Sequence, residues 1–503
     1  MKKFFNEILP FIFIALIILV CVFNVDAQPY IRSFDANRTV NVSNAAELNA
    51  AINSAQTGDQ ILLSDGTYSL SITMTRQNVM VKCPGHCIII GQVKLQAINT
   101  WIWGLEVAWT GAGSFIDLAA PDTFAINNVI SGSSVNGSVG ISAFSQPGLR
   151  VISGNIIFHT QHLMYIQNTA PHELYVVGNT LIEPQGEPSN QRAIHEYTES
   201  PNKTENVKYI RNIVFTGQIL VGGQVNATPN IGNSFDELVA YKSNTVFGYK
   251  RLDDTDITNS IYLKSTYDNQ WFWGEGEVVY SPTPITFTGN KFYNLSGGKH
   301  VIITTSAYIP GRVQCSPKFR STDTFNNNEY YGGFNSGLCA NNVNDVQLAP
   351  LSLFQTKTQN AGNRFDNDST VSASAIPDGY KLILNEYDSS SASLAVWNFS
   401  GSPTVNISLP QAASLYPAET PFGGSVVTLP SGPSALNQSA EFEAYYVKFN
   451  TGPPPPNPCD TVNQLAIDIL NISLDESLTY QKRVRQMRKK DVELINALEE
   501  CQE

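Results

Sequence analysis

Four of the chain's six histidines fall between positions 159 and 195, among tyrosines and a carboxylate. His159, His162 and Tyr165 form one group, and His195-Glu196-Tyr197 follows 30 residues after Tyr165. Aligning "HLMYIQN" (162–168) with "RAIHEYT" (192–198) sets Tyr165 over His195 on successive strands. Imidazole changes charge near neutral pH, and a phenol and a carboxylate beside it can pass or accept a proton. The combination suits acid–base work on a sugar, or capture of its hydroxyls. The plainer alternative is a polar, aromatic outer face that fills space between strands. Trp271 and Trp273 are candidate substrate-binding residues, because indole faces stack on the C–H patches of sugar rings. They would equally serve to close the end of a repeating fold. A glycoside hydrolase needs paired carboxylates across a groove, whereas Asp253, Asp254 and Asp256 cluster in a turn-like, solvent-facing context.

Residues this far apart share a site only if the chain stacks them, and a repeat provides the means. Units of the form apolar-x-x-Asn-x-apolar recur, as in Val151 to Phe158, Tyr175 to Ile182 and Tyr209 to Phe215. Asn99, Asn128, Asn155, Asn179, Asn212 and Asn244 are separated by 29, 27, 24, 33 and 32 residues. One coil of a three-faced parallel β-helix needs about that length, with strands of adjacent coils about 4.8 Å apart. An Asn at the bend between two strands is expected to take the left-handed backbone, and stacked Asn amides to bond to one another. A β-sandwich with frequent Asn turns does not predict one unit recurring at this period. The expected fold is all-β: a right-handed parallel β-helix over 38–345, with a capping helix, a C-terminal sandwich and a helical tail.

The cap is read from Leu48, Ala51, Ile52 and Ala55 on one helix face after a Ser43-Asn44 cap, then a strand over 60–64 and a turn over 65–68. Short strands separated by turn residues predict an antiparallel sandwich over 351–450. A Pro-rich linker (451–458) leads to a helical hairpin (459–503), which two copies of the chain could share as a homo-oligomer contact. Residues 1–27 read as a secretory signal: Lys2 and Lys3, an apolar run, then Val25-Asp26-Ala27 as a cleavage site. An uncleaved anchor is the alternative; no later segment is apolar enough to cross a membrane. Six of the seven cysteines remain after cleavage and pair as Cys83–Cys87, Cys315–Cys339 and Cys459–Cys501, as suits a secreted or cell-surface protein. For Cys459–Cys501 a cross-link between chains stays open, and a metal at Cys83-His86-Cys87 competes with the first pair. A net charge of −12 argues against nucleic acid as the partner.

The run "NAAELNAAINSAQTGDQILLSDGTYSL" (44–70), followed by Asn-punctuated coils, resembles the start of the pectate-lyase-like superfamily of β-helix proteins. The likeness is nearest to the chondroitinase-B and alginate-lyase family and to exported β-helix proteins, and it covers roughly 38–340. It implies a polysaccharide partner, with a lyase acting on uronate polymers as the first expectation and a non-catalytic adhesin or surface protein as the rival. In that family a calcium-binding Glu lies five residues before a basic Lys. Glu237 and Lys242 have this spacing, so the resemblance implies calcium at Glu237 and Lys242 as the proton acceptor; the family's Arg-His-Gly segment is missing from the next coil, where Arg251 and Lys264 are stray candidates for a substrate contact. A second acidic ligand expected two residues before Glu237 is replaced by Phe235.

Overall fold

Runs of β-branched and aromatic residues, most of them interrupted after three to seven positions, form mainly short strands that turn and stack. A computed structural model describes residues 28–132, 137–144, 146–167, 173–183, 192–196, 206–221, 232–247, 255–263, 271–273, 286–293, 302–304, 324–331, 336–339, 346–349, 368–372 and 376–450. The signal segment, the linker, the helical tail, Cys315, Cys459, Cys501, Tyr197 and Arg251 lie outside the described residues.

One coil contributes Arg150–Ser153, Ile156–Phe158 and His162–Gln167. The next contributes Leu174–Val177, Thr180–Ile182 and Arg192–Glu196. Each strand pairs in parallel with its counterpart, so Ile152 sits over Val176, Ile157 over Leu181 and Met164 over Ile194. All six are fully buried in one core that runs along the solenoid. Three faces result, as the repeat predicted, and the third is a ten-stranded parallel sheet from Ile72–Met74 to Ile302–Thr304. Coil stacking continues past residue 345, since Thr370–Ser372 pairs with Glu329–Tyr331. At the start, Ala45–Asn53 is an α-helix capped by Asn44, with Leu48 and Ala51 buried. Residues 66–68, expected as a turn, are instead a short strand paired with 87–89.

The Asn row differs from the expected arrangement in a definite way. Asn128, Asn155, Asn179 and Asn212 are buried, and the Nδ2 of each of the first three donates to the next Oδ1 at 2.9–3.0 Å. These residues are not the bend. The left-handed backbone belongs to the residue before: Asn127, Gly154, Gly178 and Arg211, with φ of 53–67°. The preceding residue turns the chain, which leaves the Asn amide aimed into the corner to satisfy carbonyls such as Ile152 O, 2.9 Å from Asn179 Nδ2. Leu238 interrupts the row; Ser260, Asn290 and Asn328 resume it. Asn99 lies at another bend, bonded to Asn78, and Asn244 begins a strand of the third sheet.

The C-terminal sandwich combines a five-stranded antiparallel sheet with the pair Thr404–Leu409 and Gly432–Asn437. It includes Ala413–Pro417, a strand the sequence reading passed over. Its outer side covers the second face of the solenoid: Ile383, Ala395, Trp397 and Phe442 pack on Ile182, Ile213, Val239 and Tyr241. Tyr241 and Phe442 stack with ring centroids 4.6 Å apart. With the second face covered, a site on the solenoid must use another.

Candidate functional site

In a regular strand, residues three apart point to opposite faces. His162 and Tyr165, and Arg192 and His195, would then be split. The third sheet avoids this by placing two inward residues in succession on adjacent coils: Phe115-Ile116, Leu163-Met164 and Ala193-Ile194 all lie in the core. The irregularity ends where Arg192 and Ile194 pair with Gln218 and Ile219. Positions three apart therefore share the outer face, and two rows run along it. One row carries His162 and Arg192; the other carries Asp117, Ser142, Tyr165 and His195.

Tyr165 lies over His195, with ring centroids 4.9 Å apart, and His162 is 4.9 Å from His195. Arg192 Nη1 sits 3.0 Å from His195 Nδ1 and 2.5 Å from Nε2, so the imidazole accepts from a cation. Burial, reinforced by Arg192, pushes His195 down to about 2 and His162 down to about 4. Both rings are therefore neutral at neutral pH. His162 Nδ1 is buried and has no hydrogen-bond partner among the described residues, an orphaned polar atom beside the cluster. Gln167 Nε2 donates to the Tyr165 oxygen at 2.9 Å, leaving the phenol proton to be donated elsewhere. Further along the second row, Ser142 Oγ donates to Asp117 Oδ1 at 3.0 Å, and Lys94 Nζ lies 3.5 Å from Asp117 Oδ2.

Glu196 does not belong to this group. As the next residue after His195 it points the opposite way, into the solenoid core, and is fully buried. Tyr209 donates to one carboxyl oxygen at 3.0 Å and Asn233 to the other at 2.6 Å. Burial raises its pKa to about 8. His159 is also set apart, exposed at the bend before the third sheet with φ of 59°. Trp271 is in backbone register with His195 through Leu220 and Val246, and Trp273 lies on the same strand.

The structure separates Glu237 and Lys242 from the imidazole cluster. Both are left-handed bend residues flanking Val239–Tyr241, a strand of the covered second face. The Glu237 carboxylate is ion-paired with Lys381 of the sandwich, and Lys242 Nζ lies 3.9 Å from Glu441. Calcium takes six to eight oxygen ligands. Among the described residues Glu237 belongs to no group of three metal-ligand side chains, and its carboxylate already holds an ammonium, which does not fit that requirement. Among the described residues, the one group with three metal-ligand side chains close together is Asp65, Cys83 and Cys87, and the two cysteines form a disulfide. Neither sulfur is then a thiolate, which removes the competing zinc reading; His86 Nε2 instead lies 2.6 Å from Glu106.

Arg192 is the functional candidate that sequence reasoning missed. Its signal was present in "RAIH", where Arg192 precedes His195 by three residues, the same spacing that separates His162 from Tyr165.

No protein-family model and no curated protein sequence matches the chain. Among solved structures it is similar to a PL6 family alginate lyase, AlyGC, at 11% identity and a TM-score of 0.36. That match covers 65% of this chain and 57% of the other. A mutant of AlyGC matches at 12% identity and a TM-score of 0.40, over 69% of this chain and 54% of the other. The chain thus spans little more than half the length of the structures it matches.

Proposed function

We propose that this is an exported polysaccharide-active protein that cleaves uronate-containing polymers by β-elimination on the outer face of the third sheet. The observation that carries the reading is the meeting of two neutral imidazoles, a phenol and a guanidinium on adjacent strands. Elimination from a uronate requires a cation on the carboxylate, a base for the proton on the adjacent carbon and an acid for the leaving oxygen. Arg192 fills the first role. Pairing of the uronate carboxylate with Arg192 draws the guanidinium off the imidazole lone pair and offsets one charge that depresses His195, so the imidazole is freed as a base when substrate binds. His195 takes the C5 proton, the C5–H electrons form the C4–C5 double bond, and the C4–O bond breaks. Tyr165 donates its proton to the departing oxygen, and proton transfer from His195 restores the phenol. His162 packs against the His195 ring and completes the cluster. The apolar leader and the Cys83–Cys87 disulfide support export.

The test is incubation of full-length protein with alginate, pectate and chondroitin while the ultraviolet absorbance of the unsaturated uronate is followed. Product from at least one polymer, strongly reduced in Arg192→Gln and lost in His195→Ala, is the expected result. Retention of a polymer without product would instead establish the adhesin-like reading, and folded protein that does neither overturns both.

A further inference from the structure

Phe144 ends the strand before the histidine cluster and is 38% exposed, with its ring centroid 5.8 Å from that of Tyr165. It lies in register with Gln167, which itself holds the Tyr165 hydroxyl. An exposed phenyl ring at a strand end gains little from packing, yet the backbone beneath it is fixed. Arg150 is fully buried, and its Nη1 donates to the Phe144 carbonyl at 2.5 Å. Burying a guanidinium is costly, so its use at this strand end marks a place where backbone position matters. Burial lowers Arg150 to about 10, which leaves it charged at neutral pH.

We infer that Phe144 is a sugar-stacking platform, held in place by Arg150, that binds the pyranose next to the ring engaged by Tyr165 and His195. This rests on the third sheet being the polysaccharide face, but it concerns binding and not the elimination step. A pyranose presents an apolar C–H face to an aromatic ring while its hydroxyls stay in water, so an exposed phenyl beside a polar cluster suits it. Arg150 acts as a positioning residue.

The experiment is affinity electrophoresis of full-length protein through gels containing alginate, pectate or chondroitin, with a gel free of polymer as the reference. Phe144→Ala is expected to weaken retention about tenfold, as the loss of one aromatic contact implies, while Phe144→Tyr restores it. Both variants should melt with the wild type, because the ring is not part of the core. Arg150→Lys should weaken retention less than Phe144→Ala in protein that melts near the wild-type temperature. Retention that depends on Phe144 without any cleavage supports the platform while removing the elimination reading. Cleavage with retention and KM unchanged in Phe144→Ala overturns the platform and leaves the elimination reading standing. Wild-type protein that no polymer retards overturns the platform as well.

Discussion

Glu196 offers the sharpest test of the solenoid interior. Its carboxyl is fully buried between Tyr209 and Asn233, with a pKa raised to about 8 from an ordinary 4.5. The unfolded chain releases this proton near 4.5, whereas the folded chain keeps it until about 8. Between those values the folded state binds one proton more than the unfolded state, so stability falls as pH rises. It is fully present below the lower value and lost by the upper one. Each pH unit is worth about 1.4 kcal/mol, so the window of roughly 3.5 units corresponds to a loss on the order of 5 kcal/mol, an upper figure if the core relaxes. Glu196→Gln keeps the shape and leaves an amide oxygen to accept from Asn233 without any titration. The two proteins should therefore resemble each other at pH 5, and the variant should be the more stable at pH 9. Because solenoid coils can open independently, amide hydrogen exchange in 192–196, 207–210 and 233–236 is the proper readout, supported by thermal melts. Parallel pH dependence in the two proteins would refute the assignment of a buried, titrating carboxyl.

Other expectations follow from the same geometry. If His195 is the base, cleavage should persist as pH drops through 6.5, the ordinary imidazole value, with the acid limb well below it, because a depressed base stays neutral until its own pKa is reached. Arg192→Gln should lower kcat/KM by about 10²–10³ and move any remaining acid limb toward 6.5, which pH–rate profiles would reveal; an unmoved limb counts against the contact with His195. Asn179→Leu strips partners from Asn155 N–H and Ile152 C=O and should cost about 2–4 kcal/mol in chemical denaturation, whereas Leu238→Asn, at the natural gap in the row, should cost far less. Cys83→Ser with Cys87→Ser should lose only about 2 kcal/mol, since the closed loop spans four positions, and a much larger loss would mean that the bridge holds more than its own turn.

The solenoid was legible in the sequence because its code is local and repeated. Apolar residues flanking Asn every 24–33 positions specify strand, corner and strand whatever the rest of the chain does. The stacking of Tyr165 on His195 was legible for the same reason, since a parallel register carries one strand's pattern onto the next. Residue roles inside a coil were harder to read. Asn and the residue before it both favour turns, and only the direction of the amide shows that Gly154 or Arg211 makes the bend while Asn155 or Asn212 fills the corner.

What the tertiary structure alone decided concerns faces. Glu196 next to His195 looked like part of one acid–base group, but consecutive strand residues point apart, and the carboxyl went to the core. Arg192 joined His195 only because the strand carries two inward residues in succession, an irregularity set by the coils stacked on it. Glu237 and Lys242 kept the spacing of a lyase motif while facing Lys381 and Glu441, residues some 140–200 positions away in a different fold element. Sequence spacing determines which residues are neighbours along a coil; which side of the sheet they occupy, and what covers that side, depends on long-range packing that spacing does not encode.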